Sequence, residues 1–166
     1  MTVLAALLLI IADQATKAWA QAALVPPGQS TTLIPGALRL TYVENTGAAF
    51  GLLRGVDLRF GPVHVDGTLV LGLLSLAVSI WLALHLLRRG REHGVWMRIV
   101  LTLVLAGAAG NMIDRLRLGY VIDFVHFQVG WFDFPVFNLA DAMISVGAAL
   151  IVLTSLFGGA ARRSTG

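Results

Sequence analysis

The chain has 166 residues, of which 57% are hydrophobic and only 13% charged, and its mean hydropathy is +0.82. Water-soluble domains rarely combine these values, so the composition points to a polytopic membrane protein, organised at this length as one domain over residues 1–166. The absence of cysteine excludes disulfides, thiolate chemistry, cysteine-based metal sites and lipidation on cysteine, and the net charge of +3 comes from basic residues placed beside apolar spans, which fits membrane orientation and no nucleic-acid partner.

A spanning helix needs ~20 mostly apolar residues, and four segments approach that: 2–23, 68–87, 96–114 and 137–158. The fold class expected is an all-α membrane protein of four transmembrane helices, with a small extramembrane β segment on the outer face. The first segment, "MTVLAALLLI" and onward, has some features of a cleavable signal peptide. It lacks Lys or Arg at its start, however, and Asp13 and Lys17 interrupt the approach to a cut at "AWAQ", so it is expected to stay as a span. Its short start leaves an upstream initiation site open. Asp13 and Lys17 stand at i and i+4 on one helical face and are expected to pair, as a structural ion pair before any direct chemistry.

Residues 24–67 are rich in Gly, Pro and Thr with alternating apolar positions, and "TTLIPGALRLTYVENTGAAFG" reads as short strands and turns. Within it, Asn45 and Gly47 could offer hydrogen bonds to an extended peptide, although spacing alone favours an ordinary turn. The second span, "TLVLGLLSLAVSIWLALHLL", is the cleanest. Arg88, Arg89, Arg91 and Arg98 then cluster at the next loop and Arg162 and Arg163 at the tail, which puts that loop and both termini on the cytoplasmic side.

The third span ends in "LAGAAGNMIDR", whose small residues let another helix approach closely before Asn111 and Asp114 emerge near the outer surface. Arg115 and Arg117 there could anchor to lipid phosphates or clamp a substrate carbonyl or phosphate. The fourth span opens with "FPVFNLADAMISVG", where Asn138 can act as N-cap and Asp141 at the third helical position complements the helix dipole. Capping does not explain Asp123, set among the apolar residues of "YVIDFVHF", where an isolated ionised carboxylate is costly. If Asp123 and Asp141 face each other, repulsion and partial desolvation raise one pKa, leaving an acid and a base able to activate water for peptide hydrolysis.

His64, His85, His93 and His126 form no H-E-x-x-H pair, and only His126 lies near the carboxylates in sequence, so no metal site is expected. Ser75, Ser79, Ser145 and Ser155 fall at helical positions with no G-x-S-x-G. A proton-coupled transporter would need polar residues through the membrane depth. Apart from His85 the second span has no ionisable residue, and the inner halves of the third and fourth are almost wholly apolar, which favours a one-sided site. A non-catalytic scaffold would tolerate Asp123→Asn and Asp141→Asn.

"DQATK" (13–17), "NTGAAFG" (45–51), "GNMIDR" (110–115), "VIDF" (121–124) and "FNLAD" (137–141) together resemble one family, the lipoprotein signal peptidases or signal peptidase II. The likeness spans nearly the whole chain in order and layout; loop 52–67 and the second span carry no matching motif, and the short start before "DQATK" is the one departure. It implies a bacterial inner-membrane aspartyl protease, without cofactor. Its substrate is a prolipoprotein bearing a diacylglyceryl-cysteine, cut just before that cysteine near the outer face. By resemblance, Asp123 and Asp141 are the catalytic pair, Asn45, Gly47, Asn111, Arg115 and Asn138 line the substrate site, and Asp13, Lys17 and Asp114 support it. Membrane lipid and globomycin-type inhibitors are the other expected partners, and a monomer the expected state.

Overall fold

The computed structural model describes residues 2–47, 57–60 and 63–157. Residues 48–51 of the "NTGAAFG" motif, Arg54 and the basic tail with Arg162 and Arg163 lie outside them, as does the side chain of His64. The first apolar segment is one unbroken helix, α1 (Thr2–Ala23). Strands β1 (Ser30–Ile34), β2 (Leu38–Asn45), β3 (Asp57–Phe60) and β4 (Val63–Asp66) follow, and then helix α2 (Gly67–Arg89), whose first turn is capped by Asp66 accepting from Leu69 N. Helix α3 (Val95–Leu118), strands β5 (Val121–Val129) and β6 (Phe132–Asp133), and helix α4 (Leu139–Phe157) complete the order. All four helices are long and apolar enough to cross a membrane.

Two expectations are corrected. The chain is not all-α outside 24–67, because "VIDFVHFQV" forms β5 and pairs antiparallel with β2, giving a sheet of order β1-β2-β5-β6. Its β-branched and aromatic residues suit a half-covered pleated surface, whereas strands were expected only within 24–67. Helix α3 also runs past 114 through Arg115 and Arg117. No breaker occurs before Gly119, which ends it in the left-handed conformation (φ +80°) with its N–H donating to Arg115 O at 3.1 Å.

Helix α3 is central, contacting α1, α2 and α4. Its small residues permit this: a Cβ on Gly107 would run into the Ala140 carbonyl oxygen and Ile144, and one on Gly110 would meet Asp13 Oδ2 at 2.5 Å. Apolar side chains such as Leu4, Leu8 and Ile11 of α1, Leu73 and Trp81 of α2 and Leu156 of α4 stay exposed, as expected where lipid rather than water is the solvent. The fold also buries an unusual set of polar side chains. Asp13, Lys17, Asn111, Asp114, Asp123 and Asn138 are all enclosed at the junction of the helices with the sheet, beside a small core of Ala20, Leu24, Tyr42, Ile122 and Phe124.

Candidate active site

The site is assembled by backbone pairing first. Phe137 bridges Val125 in antiparallel fashion, its N–H donating to Val125 O at 3.0 Å and its carbonyl accepting from Val125 N at 2.8 Å, so the residue entering α4 is fastened to β5. That places Asn138 against Asp123. On the other side β2 pairs with β5 so that Asn45 lies opposite Val121 and one diagonal step from Asp123 on the same face.

Asp123 is 1% exposed and accepts two side-chain amides: Asn45 Nδ2 on Oδ2 at 2.9 Å and Asn138 Nδ2 on Oδ1 at 2.7 Å. Asp141 accepts Asn111 Nδ2 on Oδ1 at 2.7 Å and the Asn138 backbone N–H on Oδ2 at 3.3 Å, while its own N–H donates to Asn138 Oδ1 at 2.8 Å. The last two bonds are a reciprocal capping box at the start of α4, so the capping expected for Asn138 and Asp141 and their place in the carboxylate cluster coexist. Asn138 touches both carboxylates. Burial, and next the charge of Asp141, push the Asp123 carboxyl up to about 7, against the pull of Asn45, Asn138 and Lys17.

Behind the pair, Lys17 Nζ, with its side chain 2% exposed, meets Asp13 Oδ2 at 2.9 Å, Asp114 Oδ2 at 3.0 Å and Asn111 Oδ1 at 2.8 Å. An ammonium only donates, so it fixes which end of the Asn111 amide faces it and leaves Nδ2 for Asp141. Asp13 also accepts the Ala140 N–H at 2.9 Å, holding the first turn of α4 from a different helix, and Asp114 accepts the Ile122 N–H at 3.1 Å, holding β5. The i,i+4 pair expected in α1 is therefore part of a larger network that positions both elements bearing Asp123 and Asp141.

Arg115 Nη2 donates to Gly47 O at 3.3 Å, and Gly47 N–H donates to Asn45 Oδ1 at 3.0 Å, so the arginine, Gly47 and Asn45 form one connected edge of the site. Arg115 Nε is buried without a partner among the described residues. Arg117 is exposed. Sequence reasoning missed Gln14, whose Nε2 donates to Asp114 Oδ1 at 2.9 Å and to Gly110 O at 3.2 Å; the available signal was its place inside "DQATK", three residues before Lys17. His126, three residues after Asp123, falls on the opposite face of β5 and meets Asp133 at 2.6 Å, and His85 and His93 face each other at 2.8 Å elsewhere.

Fold and site together define a class: a four-helix membrane enzyme with a buried polar centre where the bundle meets a small sheet. Two solved structures titled bacterial membrane enzymes, determined by the in meso method at 2.3 and 1.9 Å resolution, share this fold. The first superposes with a TM-score of 0.77 at 31% identity over 93% of this chain and 87% of that one; the second with 0.74 at 30% identity over 94% and 92%. The sequence profile of the family described as signal peptidase (SPase) II matches residues 5–157, and the lipoprotein signal peptidase of Streptococcus pyogenes serotype M6 is 37% identical over 151 residues, covering 91% of this chain and 90% of that protein. That of serotype M2 is 36% identical over the same length. The chain belongs to the signal peptidase II family, and is thus a membrane-spanning protease.

Proposed function

We propose that this protein removes the signal peptide from diacylglyceryl-modified prolipoproteins, cutting immediately before the lipidated cysteine, with Asp123 and Asp141 as an aspartic dyad. The observation that carries the reading is the convergence of these two carboxylates on Asn138, each oriented by a side-chain amide from another element. Asp123, raised to about 7, still carries a proton in about half of the molecules at neutral pH, and in that form it donates toward the scissile carbonyl oxygen. Asp141 takes a proton from a water lying between the two. The water oxygen adds to the carbonyl carbon to give a tetrahedral diol; as the C–N bond breaks, the departing cysteine nitrogen receives the proton gathered by Asp141 and one diol hydroxyl returns its proton to Asp123. The products are a signal peptide with a free carboxylate and a lipidated cysteine with a free amine. Asn45, Gly47 and Arg115 form the edge along which the extended peptide runs.

In this reading that end of the bundle and both termini face the bacterial cytoplasm and the dyad lies near the outer face of the inner membrane, at the level of the lipid-bearing cysteine; the arginines at the α2–α3 connection support this orientation. The chain acts as a monomer without cofactor. The test is to incubate purified protein with a diacylglyceryl-modified prolipoprotein and follow signal-peptide release on a gel. Asp123→Asn and Asp141→Asn each lower the rate by about 10²–10⁴-fold while the fold is kept, and a globomycin-type inhibitor blocks the wild type. Undiminished cleavage by either variant refutes the dyad.

A further inference from the structure

At the end of the bundle away from the carboxylates, α1 and α3 enclose a groove of about 330 Å³ that no part of the proposed reaction uses. Ala5, Leu9, Ile99 and Leu103 make its walls predominantly apolar, and Arg98 and Thr102 are its polar members. Arg98 is about 20 Å from Asn111 along α3 at ~1.5 Å per residue, well separated from the polar centre.

Three observations concern what occupies this groove. Arg98 is half-buried, its Nε is enclosed without a hydrogen-bond partner, and among the described residues it has no carboxylate partner. Thr102 Oγ1 donates to the Arg98 carbonyl at 2.6 Å, so it leaves the guanidinium free. Around it the charge is one-sided. The first turn of α3 holds no acidic residue and its N-cap, Gly94, offers no side chain, so the opening amides of the helix face outward uncapped. Arg88 and Arg89 in the last turn of α2 and Arg91 after it are exposed, with Glu92 the one acidic residue between them and α3. Trp96, 74% exposed in the first turn of α3, marks the level of the membrane interface.

We infer that this groove is a binding site for an anionic phospholipid of the adjacent leaflet, with one acyl chain between α1 and α3 and the phosphodiester on Arg98 and the start of α3. The apolar walls select a chain, and the uncompensated guanidinium selects the negative headgroup over a zwitterionic one, whose own cation meets an arginine-rich rim. The bound lipid ties α1 to α3 at the end where the Lys17 network does not reach. The site is independent of the proteolytic reading and stands or falls separately from it.

The full chain, purified in a neutral detergent, is titrated with phosphatidylglycerol or phosphatidylcholine, and retained lipid is counted by native mass spectrometry. Phosphatidylglycerol is retained more strongly, and Arg98→Gln weakens that retention by about fivefold, the ~1 kcal/mol typical of one arginine at a charged lipid surface. Ala5→Phe, which fills the groove and keeps the arginine, weakens it too, whereas Arg91→Gln changes it by less than about twofold. Equal retention of the two lipids overturns the proposal, as does an Arg98→Gln variant no weaker than Arg91→Gln. Stabilisation by inorganic phosphate alone equal to that by phosphatidylglycerol overturns the acyl-chain part.

Discussion

Replacing Lys17 with methionine keeps the length and apolar stem of the side chain and removes only the ammonium. In the folded protein that ammonium is the shared partner of Asp13 at 2.9 Å, Asp114 at 3.0 Å and Asn111 at 2.8 Å. All three partners are buried, so no water replaces it. Removing one member of a buried ion pair costs about 3–5 kcal/mol, because the remaining charge is left uncompensated. The backbone amides of Ala140 and Ile122 still hold Asp13 and Asp114, so the variant folds but melts ~6–20 °C lower, at ~2–4 °C per kcal/mol for a chain of this size. The Asn111 amide keeps its orientation through Asn138 Nδ2 alone, which donates to Asn111 Oδ1 at 3.1 Å, so its donation to Asp141 is held less firmly. Full loss of a hydrogen bond to a charged group is worth about 1.5–3 kcal/mol, which sets about 100-fold as the upper bound on the fall in cleavage by the folded fraction. Thermal unfolding in detergent and signal-peptide release measured on the same sample separate the two effects. In Lys17→Met/Asp114→Asn, with one carboxylate fewer to neutralise, the combined loss is smaller than the sum of the single losses. A Lys17→Met protein within about 0.5 kcal/mol of wild type, the range of an ordinary surface change, refutes the reasoning.

Further outcomes follow from three single sites. The folded protein keeps a proton on Asp123 up to about 7, whereas the unfolded chain releases it near 3.8, so stability declines as pH rises between those values and is level above them. Melting temperatures from pH 4 to 8 show this slope in the wild type and lose its Asp123 share in Asp123→Asn; in the same window the cleavage rate falls as pH rises past about 7, and a rate that rises there contradicts the assignment of the proton. Gly107→Ala drives a methyl into the Ala140 backbone and Ile144 at the α3–α4 crossing and costs about 1–3 kcal/mol in chemical or thermal unfolding. Gly94→Ala, where a Cβ meets nothing within 4 Å, costs about 1 kcal/mol or less, through the poorer N-cap and not through a clash.

The sequence by itself determined the solvent and the layout. A chain with this little charge and four apolar runs of spanning length has to satisfy its backbone inside helices, and local periodicity was enough to place α1, α2 and the start of α3 and to pair Asp13 with Lys17. Short-range chemistry also announced the α4 capping box, because Asn138 and Asp141 are three residues apart. Strand β5 was not legible, since "VIDFVHFQV" is a strand only by virtue of β2, which lies some eighty residues earlier, and that pairing diagonally sets Asn45 beside Asp123. Nor could spacing show that Lys17 reaches Asn111 and through it governs the donor to Asp141. Those are contacts between α1, α3, β5 and α4. They exist because the small residues of α3 let three helices close around one point, so that the six buried polar residues there must satisfy one another in place of water.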